Sequence, residues 1–234
     1  MSVLAVVPAR SGSNGFTHKN TARIGGKTLL ELAVQVGMDS QCIDKVYVTT
    51  DSQEYANIAI SAGATFLGPR PDWLASDTAK TIDVIIDLLG RIGESYDHLI
   101  LLQPTAPVRS PDHVDAAFAS YIKHEADGVV SVELIDEPHP EKVKRIDANG
   151  FLQPYIIGAS SEIPRQRLPE AYRLNGAIYV VNISAMLKQI TFLPKKTIAY
   201  QMPRGVNIDS EEDFILLRAL FEMGRVYIHG ASLS

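Results

Sequence analysis

Cysteine is almost missing from this 234-residue chain: Cys42 stands alone. One cysteine excludes an intrachain disulfide and any cysteine-based zinc site, and it fits a reducing cytoplasm. An excess of positive charge is also missing. Lys and Arg number 22 against 27 Asp and Glu, for a net charge of -5. That balance argues against nucleic-acid binding by phosphate neutralisation. It leaves room for a nucleotide substrate, which needs only a local cluster of cations. No apolar run is long enough to cross a membrane. The first one, Val3 to Val7, stops before Arg10 and has no basic residue ahead of it, so it reads as a strand rather than a signal peptide. No internal repeat or low-complexity segment is visible.

Several common site signatures are absent too. The histidines at 18, 98, 113, 124, 139 and 229 form no HExxH motif or close pair, so zinc chemistry has no pattern to rest on. No G-x-S-x-G elbow occurs. Gly26-Lys27-Thr28 looks like the end of a P-loop, but the earlier glycine that motif needs is Thr21. A dinucleotide fingerprint fails as well, because its first glycine falls on Arg10.

What is present is an ordinary globular mix, 46% hydrophobic and 21% charged, enough to build a sizeable core in a single domain of 1–234. Apolar runs at 3–7, 46–49, 98–102, 128–132, 177–181 and 197–200 read as strands. Helical spacing at 29–38, 52–62, 81–89, 111–122 and 213–221 alternates with them, Ser52 and Pro111 marking two of the helix starts. The alternation predicts βαβ units and a mostly parallel sheet. From Asp136 to Ala171 the chain turns rich in Pro, Glu, Lys and Arg and loses its apolar runs. We read an inserted lobe within the domain, placed at 136–175. In such folds ligands sit at the carboxyl ends of the strands. The loops at 8–20, 50–52, 103–107 and 206–209 are therefore expected on one rim.

The segment Pro8 to Asn20, PARSGSNGFTHKN, has a phosphate logic. Gly12 and Gly15 allow positive φ and close backbone approach, so successive amides can cradle an anion. Arg10 adds a planar fork and Lys19 a point charge. A glycine-rich turn with solvated charges is the alternative reading of the same composition.

The stretch VVPARSGSNGFTHKN resembles the N-terminal signature of the CMP-sialic acid synthetase (acylneuraminate cytidylyltransferase) family. Further blocks follow in that family's order: TDSQEYANIA at 50–59, RPDWLASDTAKTIDVI at 70–85, LLQPTAPVRS at 101–110, YRLNGAIYV at 172–180 and NIDSEEDF at 207–214. The resemblance implies an α/β, three-layer, Rossmann-like (GT-A-like) nucleotidyltransferase fold with a small dimerisation lobe. It implies transfer of CMP from CTP to a nonulosonic, sialic-acid-like 2-keto sugar acid, with Mg²⁺ and release of pyrophosphate. A cytoplasmic homodimer is implied, with no nucleic-acid or membrane partner, and with the lobe lending charged residues to the partner's site.

By the same resemblance Ala9, Arg10, Gly12, Ser13, Asn14, Gly15, Lys19 and Asn20 surround the CTP phosphates, Arg10 and Lys19 with catalytic roles. Arg70, Ala75, Ser76 and Asp77 would lie along the cytosine and ribose. Gln103, Lys142, Arg165, Asn175 and Tyr179 would meet the sugar, Arg165 gripping its carboxylate. Asp209 and Asn207 would take the metal, and Asp209 is a candidate proton acceptor. Each has a plainer alternative: a surface turn for Arg70, a solvated charge run for Arg165 and Lys142, core packing for Tyr179, a helix cap for Asp209. Two positions depart from the family pattern. Asn14 stands where a lysine is usual, and Asn207 begins what is commonly Asp-Ile-Asp. Both lower the charge on the site, and they motivate the alternative of a catalytically weakened CTP-binding or sensing homologue.

Overall fold

A computed structural model describes residues 1–12 and 15–232. Its strands are β1 (Val3–Pro8), β2 (Arg23–Ile24), β3 (Lys27–Thr28), β4 (Lys45–Thr49), β5 (Thr65–Phe66), β6 (His98–Leu101), β7 (Gly128–Leu134), β8 (Lys144–Ile146), β9 (Leu152–Pro154), β10 (Tyr172–Asn182) and β11 (Thr197–Gln201). Its helices are α1 (Leu29–Asp39), α2 (Gln53–Ser61), α3 (Thr81–Arg91), α4 (Pro111–Lys123), α5 (Ile183–Gln189) and α6 (Glu211–Glu222). Seven strands form one sheet in the order β11-β7-β10-β6-β1-β4-β5. Strand β10 alone runs antiparallel, against β6 and β7. The expected mostly parallel sheet is therefore what the chain builds.

Strand β1 shows why the domain has three layers. Val3, Ala5 and Val7 join one apolar cluster with α1 and α4, while Leu4 and Val6 join another with α3 and Met186 of α5. Side chains alternate across a strand, so a continuous apolar run needs cover on both faces. A third cluster packs Phe214, Leu217 and Phe221 of α6 against Ile24 and Leu29.

Local chemistry sets the helix starts. Thr28 and Glu31 form a reciprocal capping box on α1. Ser52 caps α2, and Ser110 with Pro111 opens α4. At α6 the cap is Ser210, and Asp213 reaches back to the amides of Ser210 (2.9 Å) and Asp209 (3.1 Å). Asp213 rather than Asp209 thus serves the helix, which leaves the Asp209 carboxylate for other work.

Short elements went unread in the sequence. The Gly26-Lys27-Thr28 stretch belongs to the β2–β3 hairpin, whose tight turn places Gly25 and Gly26 at φ of 56° and 84°. Strand β10 begins at Tyr172, earlier than its apolar run, because Tyr172 to Leu174 pair with the end of β7 while staying exposed on the sheet's rim. Within residues 136–171, β8 and β9 make a separate two-stranded hairpin. It holds Ile146, Phe151 and Leu152 in solvent, with Tyr155 and Ile157 just beyond.

Candidate active site

The loops after β1, β5, β6 and β11 meet at the carboxyl edge of the sheet, around a cavity of about 320 Å³. Arg10, Lys19, Asn20, Arg70, Gln103 and Asp209 line it, with Ser76, Asp77 and Asn207. These residues lie up to two hundred positions apart, and the strand order brings them together.

The 8–20 loop is braced from below. Ser11 donates its amide (2.8 Å) and its hydroxyl (2.6 Å) to Asp51, at the end of β4. Partial burial alone would raise the Asp51 pKa, but the Ser11 bonds and its own amide outweigh this and hold it below the ordinary value. Asn20 is buried and donates to the Arg10 carbonyl at 3.0 Å. Gly15 has φ of 93°, and a Cβ there would stand 3.2 Å from the Asp209 carbonyl, so the loop leans directly on the 207–209 segment. Ser13 and Asn14 lie outside the described residues.

Both cations of the loop face carboxylates. Arg10 pairs with Asp77 at 2.5 Å and Lys19 with Asp209 at 3.3 Å. Lys19 also donates to the Ile208 carbonyl at 3.2 Å. Solvent-exposed pairs of this kind hold only about 0–1 kcal/mol each. An incoming polyanion can therefore compete for both cations.

Arg70 is buried in the cavity wall. It donates to the carbonyls of Thr49 and Leu74, and desolvation pushes its pKa down to about 10. It braces the wall as well as lining the cavity, a denser role than a surface turn. Ala9 and Ala75 support the backbone: the Ala9 amide bonds the Thr49 carbonyl at 3.0 Å, and the Ala75 amide bonds Asp72 at 2.9 Å. Gly12 has open space where a side chain would go.

A second cavity, of about 730 Å³, adjoins the first and shares Asn207 and Asp209 with it. Asn175 lines it from a bulge in β10. The Asn175 side-chain oxygen Oδ1 accepts from the Ser131 hydroxyl (2.5 Å) and from the Ala177 amide (3.1 Å), which commits that atom to holding the bulge. Arg173 lines the same cavity and is fixed to Glu133 across the β7–β10 pair, Nε at 2.6 Å. Glu133 is 2% exposed and also accepts the Gly205 amide at 3.0 Å. Gly176 sits at the junction of the cavities, where a Cβ would meet the Gln103 side-chain oxygen at 3.0 Å and the Asn207 amide at 3.6 Å.

Three residues read from the sequence as sugar contacts line neither cavity. Tyr179 packs on Phe192, ring centroids 6.1 Å apart, in the cluster on the α3 and α5 face. The bulge explains this: Ala177 and Ile178 both join the opposite cluster, so the alternation breaks between Asn175 and Tyr179. Lys142 and Arg165 sit in the 136–171 segment, Arg165 paired with Asp136 at 3.1 Å. Sequence reasoning in turn missed Asp51, Arg109, Ser131 and the Glu133–Arg173 pair. Asp51, Arg109 and Arg173 lay inside quoted blocks, but only the fold reveals their partners.

Sheet order and cleft together define the Rossmann-like fold of nucleotidyltransferases. The Cytidylyltransferase family profile matches residues 4–231. An N-acylneuraminate cytidylyltransferase of Streptococcus agalactiae serotype V is 32% identical over 219 residues, 92% of this chain and 52% of that one. The CMP-N,N'-diacetyllegionaminic acid synthase of Legionella pneumophila is 32% identical over 231 residues, 96% of this chain and 98% of that one. Among solved structures, a CMP:2-keto-3-deoxy-manno-octonic acid synthetase complexed with CTP superposes with a TM-score of 0.72 at 16% identity, covering 96% of this chain and 100% of that one. The chain belongs to the cytidylyltransferase family. It spans about half the length of the streptococcal relative, 52%.

Proposed function

We propose that the chain transfers CMP from CTP to a nonulosonic acid, releasing pyrophosphate. The observation that carries this reading is the pair of adjoining cavities, one bearing the cationic loop, the other lined by Arg173 and Asn175, both bordered by Asn207 and Asp209. The triphosphate would displace Asp77 and Asp209 from Arg10 and Lys19. Those cations then meet the charge that builds on the α-phosphate and the leaving pyrophosphate. The anomeric hydroxyl of the sugar forms the new P–O bond as the bond to pyrophosphate breaks. Asp209 borders both cavities, which supports it as the acceptor of the hydroxyl proton. Arg173, aimed by Glu133, is suited to a sugar carboxylate.

Among the described residues no three acidic, His or Cys side chains cluster tightly enough to hold a metal alone. That suits Mg²⁺, which commonly takes one or two carboxylates and completes its shell with phosphate oxygens and water. Asp209 would supply the carboxylate and Asn207 a neutral oxygen; bound there, the ion would offset phosphate charge. No described helix is long and apolar enough to cross a membrane. A lone cysteine and a CTP substrate fit a cytoplasmic setting. The exposed apolar residues from Ile146 to Ile157 favour a homodimer in which this segment docks on a second copy, and Lys142 and Arg165 would then reach the partner's site. No observation favours the sensing homologue. The test is pyrophosphate release from CTP and Mg²⁺ with N-acetylneuraminate, N,N'-diacetyllegionaminate and pseudaminate. Release with at least one acid is expected; no release with any, from folded protein, rejects the reading.

A further inference from the structure

Arg109 is 1% exposed and lies under the turn that joins the two cavities. Its Nη1 donates to the carbonyls of Gln103 (2.7 Å), Ala106 (2.9 Å) and Ala177 (3.0 Å). Its Nε and Nη2 have no partner among the described residues. No acid pairs with it there. Desolvation pushes its pKa down to about 9, which leaves it cationic at neutral pH. A buried, unpaired cation is a costly way to close a turn. A neutral donor would close one more cheaply, so the position of this cation calls for a function.

The three carbonyls belong to both sides of the site. Gln103 and Ala106 bound the turn whose side chains face the smaller and the larger cavity. Ala177 follows Gly176, the glycine over which the Gln103 side-chain oxygen lies. The same turn holds the 207–209 segment, because the Thr105 carbonyl accepts the Ile208 amide at 2.8 Å. One nitrogen therefore sets the turn's height against the β10 bulge, and with it the place of Gln103.

We infer that Arg109 is a positioning residue: it locks the Gln103 turn onto the β10 bulge and, because Gln103 lines the smaller cavity with Arg10 and Lys19 rather than the larger one expected to take the sugar, acts on the bound nucleotide through Gln103. This rests on the proposed CTP-dependent activity. A turn-closing role confined to stability would lower the melting temperature and leave the nucleotide constants of the folded fraction unchanged.

The test is a graded series, R109K and R109Q, each alone and combined with Q103A. Lysine keeps the charge and brings three protons for the three carbonyls; glutamine keeps neither. CTP affinity is measured by calorimetry on folded protein, with kcat and KM from pyrophosphate release. R109K is expected to weaken CTP binding about threefold and R109Q about tenfold, with kcat falling in step. In the Q103A background both losses should vanish, because contacting residues that act through one group are not additive. If R109Q does not fold, R109K and its double variant carry the same comparison. Wild-type constants in R109K and R109Q, or losses that persist undiminished beside Q103A, overturn the inference. A chain that binds CTP but activates no sugar acid defeats the proposed activity alone, since the Arg109 series is still read from affinity. A chain that binds no CTP defeats both.

Discussion

Replacing Gly176 by alanine separates folding from function at the point where the two cavities meet. Gly176 has φ of 72°, so an L side chain there costs about 1–2 kcal/mol. The added Cβ would lie 3.0 Å from the Gln103 side-chain oxygen, 3.6 Å from the Asn207 amide and 3.8 Å from the Ala106 Cβ. Only the first contact is tight. It is the end of a flexible side chain, so Gln103 can swing aside and the backbone need not move. The stability loss should therefore stay near the backbone cost, about 1–2 kcal/mol, or a melting temperature lower by about 3–6 °C for a chain of this size. Turnover should suffer more, on the order of tenfold or beyond, because small misplacements of a substrate-facing group are expensive. Thermal unfolding and pyrophosphate release on the same preparation read both. A variant that loses stability but keeps full turnover refutes the placement of Gln103. One that fails to fold refutes the local strain estimate.

Gly90 provides the contrast: it lies inside α3 and a Cβ there meets nothing within 4 Å. G90A should gain up to about 1 kcal/mol in unfolding assays and leave turnover unchanged. D51N should weaken the protein at neutral pH by releasing Ser11. Because the folded Asp51 pKa is lowered, its stabilising effect is present above the unfolded value, about 3.9, and is lost as pH falls through the folded one; melts of D51N and wild type should therefore converge in that acid range. Charging the arm with I157E and F151E should shift the species seen by sedimentation towards monomer, since Ile157 is 97% exposed and can lose only an intermolecular contact. A dimer unchanged by both substitutions would place the interface elsewhere.

Much of this architecture was legible in the chain because its signals are local. A buried parallel strand must be apolar on both faces, so Val3 to Val7 announces itself, and Ser52 and Pro111 mark helix starts by their own chemistry. The hairpin of β2 and β3 carries two residues per strand, and α5 spans Ile183–Gln189, too little for periodicity to register. The antiparallel course of β10 depends on which neighbours it finds, and its exposed start at Tyr172 has no apolar run to mark it. In the site, Arg10 and Lys19 stood out as the cations of a glycine loop, and the family resemblance pointed to Asn20, Gln103 and Asp209; the fold brings all five to one cavity. Arg109 and Glu133 were not, since a charged residue in sequence looks solvated until the fold buries it. Tyr179 shows the reverse: a bulge that sets residues 175–178 against Ser131 turned an expected sugar contact into packing.

Direct measurement of CMP transfer tests the central claim most closely. The purified chain is incubated with CTP, Mg²⁺ and each nonulosonic acid, and both pyrophosphate and the CMP-sugar are followed, with R10A alongside. Equal amounts of the two products from wild type, and a marked rise in KM for CTP in R10A, are the expected result. Folded wild-type protein that makes neither product, or an R10A variant with an unchanged KM, contradicts the account.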